Sequence, residues 1–341
     1  MRTTIYVFTV AMVTSLSTCF AIGQTQPPDA APLYRQAIAE MKAALGDIDG
    51  WGPDLPMIDD NPKAEYLTEE WVTLVDKSAT ARMLFEQATR RKSCRFDAKS
   101  ASKQGEILDS LTAMTSLREL VAADAWQRLK KQPETTLRIC EHLIDHAGHL
   151  GQDSSLWGTQ LRFAVADSSI LLWQAVLAGD RGASLGRTNL ERALATIDRH
   201  RARRPTTAAL AERCLADARM LLEITISEIK PERAAVTAAK ERVLELVGEL
   251  LAPLRTAAPI DVATLKKRTN ERIGRWKAKL AGVGLPTILT NEVGETLAIA
   301  IATLIAPDVV GVVEAQQQCA RKIDAVRQQL RATLDALPKR K

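Results

Sequence analysis

The feature that most constrains this chain is the spacing of its apolar residues. From Thr68 almost to the C-terminus they return at steps of three and four, and no alternating run is long enough for a strand. Each such segment carries an apolar stripe along one helix face, and that stripe must be covered by another helix. The expected fold class is therefore all-α, with antiparallel helical hairpins forming a bundle or an irregular α-solenoid-like array. Composition agrees, because aromatic residues are only 4% of the chain while Ala and Leu abound. Helices packed through small and straight-chain residues use that mixture better than sheets do.

The spacing predicts helices over about Ala31–Leu45, Thr68–Ala88, Glu106–Lys131, a segment opening at Pro133, Ser155–Leu177, Leu185–Arg203, Thr206–Ile229, Glu232–Leu254, Val262–Leu280, Ile288–Ile305 and Val309–Leu337. Gly and Pro punctuate the gaps: Gly179, Gly182, Pro205, Pro231, Pro259, Gly282 to Pro286, and Pro307. Short connections such as "KQPE" and "KPER" make successive helices neighbours. Leu117 to Leu150 has the look of a tetratricopeptide hairpin, but its signature residues do not recur at a fixed period.

The N-terminus reads as a secretory signal peptide over residues 1–23. Arg2 precedes an apolar run from Ile5 to Val13, and Ala21 and Gly23 suit cleavage before Gln24. "LSTC", ending at Cys19, resembles a lipoprotein box, although Thr18 replaces the usual small residue; a lipid anchor at Cys19 is the variant reading. The expected location is the periplasm or the cell exterior. The remaining organisation is an N-terminal arm, helix and acidic loop over 24–63, a helical domain over 64–230, and a C-terminal helical bundle over 231–341.

Removal of the signal leaves Cys94, Cys140, Cys214 and Cys319. Their spacing is wide and contains no CxxC, so buried free thiols are expected in preference to a disulfide framework. Cys94 lies in "RRKSCRF", where Arg90, Arg91, Lys92 and Arg95 would favour its thiolate. In the acidic loop, "DIDG" opens like a calcium-binding loop, but Gly50 comes too early and Ile58 occupies the position of the bidentate acid. Asp54, Asp59 and Asp60 could form only an irregular oxygen site.

Three histidines, His142, His146 and His149, share one helical face in "CEHLIDHAGHLGQ". Two helical histidines four apart can hold zinc, so His142 and His146 with Asp145 are the candidate metal ligands. The zinc-protease pattern is absent, because Leu143 stands where Glu would follow the first His. Leu143, Ile144 and Leu150 place the buried face elsewhere and leave the histidines half exposed.

The strongest charge feature is "LKKRTNERIGRWKAKL". Lys266, Lys267, Arg268, Arg272, Arg275, Lys277 and Lys279 face a single acid, Glu271, with Trp276 on an apolar stripe. These cations and Trp276 are the candidate anionic-surface residues, in the manner of basic helices at membranes. The apolar segment Leu297 to Ala306 that follows is too short to span a bilayer and is expected as a central buried helix carrying the basic one. A net charge of +5 is mild, and nucleic acid is not an expected partner outside the cytoplasm. Val309, Val312, Gln316, Cys319, Ile323, Val326, Leu330, Thr333 and Leu337 form a heptad seam, which either dimerises or packs on the matching stripe through Val236, Val243, Val247, Leu250 and Leu254.

No nucleophile elbow, phosphate-cradling glycine loop or redox motif occurs in the sequence. "LYRQAI" at 33–38, "CRF" at 94–96, and "LRELVAADAWQRLKKQ" leading to "HLGQDSSLWGTQL" together resemble a group of exported bacterial helical proteins, over roughly residues 31–178. The resemblance implies an exported all-α fold and carries over no catalytic residue. The functional expectation is an exported helical interaction or scaffold protein of the bacterial envelope, bound to an envelope partner or an anionic membrane surface. The alternative is a metal-dependent hydrolase using the His142/His146 face.

Overall fold

Helix starts in this chain are set by local chemistry visible in a computed structural model, which describes residues 29–46, 69–95, 101–152, 156–178, 180–229, 233–256, 260–281 and 293–338. The expected signal peptide over residues 1–23, Cys19 and the acidic loop with Asp54, Asp59 and Asp60 lie outside the described residues. Proline opens α1 (Ala31–Leu45) and, with Glu134 in the first turn, the later helix α5 (Pro133–Leu150). Glu69 and Glu70 lie at the positive end of α2 (Glu69–Lys77). Thr206 accepts the Ala209 amide at 3.1 Å ahead of α9 (Thr207–Ile229), and Asp261 accepts the Ala263 amide at 3.1 Å ahead of α11 (Val262–Ala281). Gly46 ends α1 at φ +89°, a conformation that would strain a side chain, and its amide returns to the Lys42 carbonyl.

The other helices are α3 (Ala79–Thr89), α4 (Ala101–Arg128), α6 (Leu156–Leu177), the short α7 (Asp180–Ser184), α8 (Arg187–Ala202), α10 (Arg233–Leu251) with a 3-10 turn at Ala252–Arg255, and α12 (Val293–Ala336). The class is all-α; among the described residues the only β contact is one isolated bridge between Asp29 and Ser93.

Several expected boundaries differ: α4 begins at Ala101 and not at Glu106, α7 forms in the gap expected at Gly179 to Gly182, and two other differences have a clear physical reason. The segment from Thr68 to Ala88 is broken into α2 and α3 at Ser78, whose hydroxyl donates to the Val75 carbonyl at 3.0 Å. That carbonyl also accepts from the Arg82 guanidinium, so side chains take over the backbone's role at the break. Conversely, Pro307 lies inside α12 and does not end it. Proline removes one helical hydrogen bond, to the carbonyl of Thr303. Here Leu304, Pro307 and Asp308 are all exposed, so the weakened turn faces outward, where water can serve the carbonyl.

Two helices organise the packing. α5 touches α3, α4, α6 and α8, while α12 touches α6, α8, α9, α10 and α11. The seam of α12 is used within the chain: Val309, Val312, Ile323, Val326 and Leu330 are buried, and so are Val243, Val247, Leu250 and Leu254 on the α10 side. A dimer through the heptad seam is thereby removed, because its apolar positions already have an intramolecular partner. Glu295–Ala336 is long and apolar enough by composition to cross a membrane, but 56% of its most apolar window is buried inside this chain. Ion pairs fix the register of α12: Arg201 to Asp324 at 3.0 Å and Lys322 to Asp167 at 2.7 Å. Arg187 adds contacts to the Leu334 and Leu337 carbonyls, where a cation suits the helix's negative end.

Candidate functional site

The histidine face of α5 is not wet. His142, His146 and His149 are all buried, and so is the fourth histidine, His200 on α8. The half-exposed face expected from the sequence is therefore corrected: α3, α4, α6 and α8 enclose α5 from several sides. The residues that cover the imidazoles come from distant segments. Tyr34 of α1 and Phe85 of α3 hold the His146 ring between them, with centroids at 5.0 and 4.8 Å. Neither His146 nitrogen has a hydrogen-bond partner among the described residues. His149 instead bridges two segments, with Nδ1 2.9 Å from the Tyr34 hydroxyl and Nε2 2.8 Å from the Arg91 carbonyl. Because a carbonyl only accepts, Nε2 carries the proton and Nδ1 accepts from Tyr34. His142 Nδ1 lies 2.8 Å from the Thr89 hydroxyl, which itself donates to the Glu86 carbonyl. The ring therefore donates from Nδ1.

Burial sets the charge of all four. Desolvation lowers the His142 pKa to about 4, helped by Arg90 and Arg138, and lowers His200 to about 3, helped by Arg162. His146 falls well below its ordinary value through burial and then through His149 and Arg118. Burial also lowers His149. The face is thus a set of neutral imidazoles that clamp α1 and α3 onto α5.

The proposed zinc ligands do not converge. His142 turns to Thr89, His146 lies between two aromatic rings, and Asp145 faces Arg199 at 3.7 Å. Among the described residues no group of three or more His, Cys, Asp or Glu side chains is arranged around a common metal position. The acid that ties α5 to its neighbour is Glu141, which accepts from Arg192 Nε at 2.9 and 3.0 Å. In the sequence Glu141 stands out only as a further oxygen donor beside Asp145 for a metal, and not as a tether between helices.

Cys94, Cys140, Cys214 and Cys319 are all free and buried. Cys94 is 1% exposed while Arg90, Arg91, Lys92 and Arg95 are exposed, so the basic run does not present an open thiolate. Burial raises Cys214 to about 12 and Cys319 to about 11, keeping both thiols protonated at neutral pH.

The basic helix α11 docks on α12 through Leu265, Thr269 and Trp276, all buried. Trp276 is thereby corrected as a surface-binding residue: at 7% exposure its ring is part of the core. Arg272 and Lys279 face Glu249 at 3.9 Å and Glu295 at 3.5 Å. Lys266, Lys267, Arg268, Arg275 and Lys277 are exposed and form no ion pair with the described residues. At about 100° per residue these five spread over the whole outer arc of the helix and do not gather into one stripe. A cleft of about 220 Å³ opens at the start of α11, between Pro253, Ile260 and Arg268. Asp261 already takes the helix amides there, so the cleft offers an anion only the Arg268 side chain.

No protein-family model, curated protein or solved structure matches this chain.

Proposed function

We propose that this protein is an exported helical interaction protein of the bacterial envelope that attaches peripherally to an anionic surface through the outer arc of α11. The observation that carries the reading is the set of five exposed cations, Lys266, Lys267, Arg268, Arg275 and Lys277, on a helix whose apolar stripe is already occupied by α12. Unpaired surface cations held on a rigid helix attract polyanions and anionic headgroups through a summed field, without a shaped pocket. With Trp276 buried, the helix keeps no apolar face to sink into a bilayer, so attachment is electrostatic and salt-sensitive and lacks the insertion of an amphipathic membrane helix. The export half of the proposal rests on the N-terminal pattern from Arg2 to Gly23.

The test is co-sedimentation of the full chain with phosphatidylglycerol and with phosphatidylcholine vesicles. The wild type is expected to pellet with the anionic vesicles at low salt and not with the neutral ones. The Lys266→Glu/Lys267→Glu/Lys277→Glu variant is expected to stay in solution. Equal pelleting of variant and wild type would remove α11 from the account.

A further inference from the structure

α1 meets α5 through a cluster of four rings that leaves no place for a positive charge. Tyr34, Phe85, His146 and His149 come from three helices and are each 0 to 1% exposed. The Tyr34 ring lies 5.0 Å from His146 and 5.8 Å from both Phe85 and His149, centroid to centroid. Its hydroxyl donates to His149 Nδ1 at 2.9 Å, and His149 Nε2 donates to the Arg91 carbonyl at 2.8 Å. The segment after α3 is tied to the same end of α1: Ala30 donates to the Ser93 carbonyl at 2.8 Å, and Asp29 accepts the Arg95 amide at 3.0 Å. The rest of α1 packs chiefly on α3 and α4, whereas α12 packs on five helices. A helix with few packed neighbours can open without unfolding the whole chain.

The rings are built for neutral imidazoles. Neither His146 nitrogen has an acceptor among the described residues. A neutral ring can rest its one N–H on an aromatic face, whereas an imidazolium has two to place. His149 has already used the Arg91 carbonyl. Protonation would turn a second N–H toward the Tyr34 hydroxyl, which would then lose the acceptor for its own hydrogen. Burial opposes charge on His146 first, and His149 and Arg118 of α4 add to it. Burial also leads at His149; the Arg91 carbonyl and Asp29 favour charge there and Arg203 opposes it. The other charged groups around α5 have their own partners or places. Arg118 pairs with Glu119 at 2.8 Å and Asp145 with Arg199 of α8 at 3.7 Å. Glu86 of α3 faces His142 at 3.9 Å, Arg162 of α6 lies against Gly151, and Cys94 is a buried thiol.

We infer that α1 is an acid-operated latch: protonation of His146 and His149 frees it from α5 while the remaining helices stay folded. Each imidazole gains one proton, the Tyr34–His149 hydrogen bond breaks, and no covalent bond changes. Once α1 has left, both rings face water, where an imidazole takes up its proton near pH 6.5. The docked rings resist that proton, so the released form gains as pH falls below about 6.5. The gain is up to ~25-fold per imidazole at pH 5 relative to pH 7. His142 is bonded to Thr89 and His200 belongs to α8, so their protonation weakens the fold as a whole and not the latch. The latch is independent of the α11 surface.

The experiment is hydrogen–deuterium exchange of the full chain at pH 7 and pH 5, with each rate divided by the intrinsic rate at that pH. Peptides from α1 and from the second half of α12 are compared. In wild type, α1 is expected to lose at least tenfold in protection between pH 7 and pH 5. At pH 5 it should also exchange at least tenfold faster than α12. In His146→Phe/His149→Gln, α1 protection is expected to stay within threefold across the same range. α12 should still lose protection there, because His142 and His200 remain. His146→Phe alone keeps the ring packing and is expected to cut the α1 response at least fivefold, so the test survives if the double variant does not fold. Loss of protection by α1 and α12 in step in wild type would mean one global transition and would overturn the latch. So would an α1 response in His146→Phe equal to that of wild type.

Discussion

At the scale of single residues, the neutral histidines make stability depend on pH. Each buried imidazole has a folded pKa below the roughly 6.5 of an unfolded chain, with His142 at about 4 and His200 at about 3. The unfolded chain therefore binds more protons below about pH 6.5, so the histidine contribution to stability is intact above that pH and is lost as pH falls toward the folded pKa values. Burial also raises Glu141, Asp145 and Glu119, and these carboxyls push the other way just above pH 4 to 5. A single variant isolates the imidazole effect. The His146 ring makes no hydrogen bond to the described residues and packs between two rings, so His146→Phe keeps the packing and removes the titration. We expect its unfolding free energy to fall less than wild type's between pH 7 and pH 5, the difference growing by up to about 1.4 kcal/mol per pH unit. His149→Phe should differ in kind, because it leaves the Tyr34 hydroxyl and the Arg91 carbonyl without this partner, at a cost of ~1–3 kcal/mol already at pH 7. If both variants behave alike in denaturant titrations at pH 7, the assigned hydrogen bonds are wrong.

At the scale of elements, α3 and α4 are joined by one buried carboxylate. Asp124 is 5% exposed and pairs with Arg82 of α3 and, at 2.7 Å, with Arg128 of its own helix. Asp124→Ala would leave Arg82, the more buried partner, facing a space without charge. We expect a loss of about 3 kcal/mol in chemical denaturation, with Arg128 adding little because its side chain is 37% exposed. Pro307 gives the opposite expectation. Pro307→Ala restores an amide to the α12 ladder and should stabilise the fold by up to about 3 kcal/mol; a loss of stability would mean that the proline itself is needed for α12 to pack on its five neighbours. These two elements also mark what the sequence could convey. The stripes of α1, α4, α9 and α11 were legible because each has one apolar face with polar residues opposite. Ser78 and Pro307 were misread because a proline on an outward turn is tolerated, whereas a serine with an arginine beneath it can divide a helix. Neither circumstance is local to the residues concerned.

For the molecule as a whole, α5 and α12 are the two members that others enclose, and that is where sequence reading went astray. A polar residue on an amphipathic helix is assigned to solvent by its period. On α5 the histidines are covered by Tyr34, Phe85 and Thr89, which lie 53 to 115 residues away along the chain in the hydrogen-bonded pairs. No spacing rule reports such pairings. The basic arc of α11 was legible, because its charge lies in one continuous stretch and its apolar stripe announces which side is docked. Arg272 and Lys279 turn out to face Glu249 and Glu295, and Trp276 is buried, which changes the expected mode of attachment from insertion to surface contact.

The most direct test of that central claim is the salt dependence of binding to phosphatidylglycerol vesicles. The account predicts that wild-type affinity falls steeply and monotonically as sodium chloride rises from 20 to roughly 300 mM, because the Debye length shrinks to well below 10 Å. It also predicts that the Lys266→Glu/Lys267→Glu/Lys277→Glu variant shows neither binding nor slope. Binding that persists unchanged at high salt, or that survives in the variant, would contradict electrostatic attachment through α11.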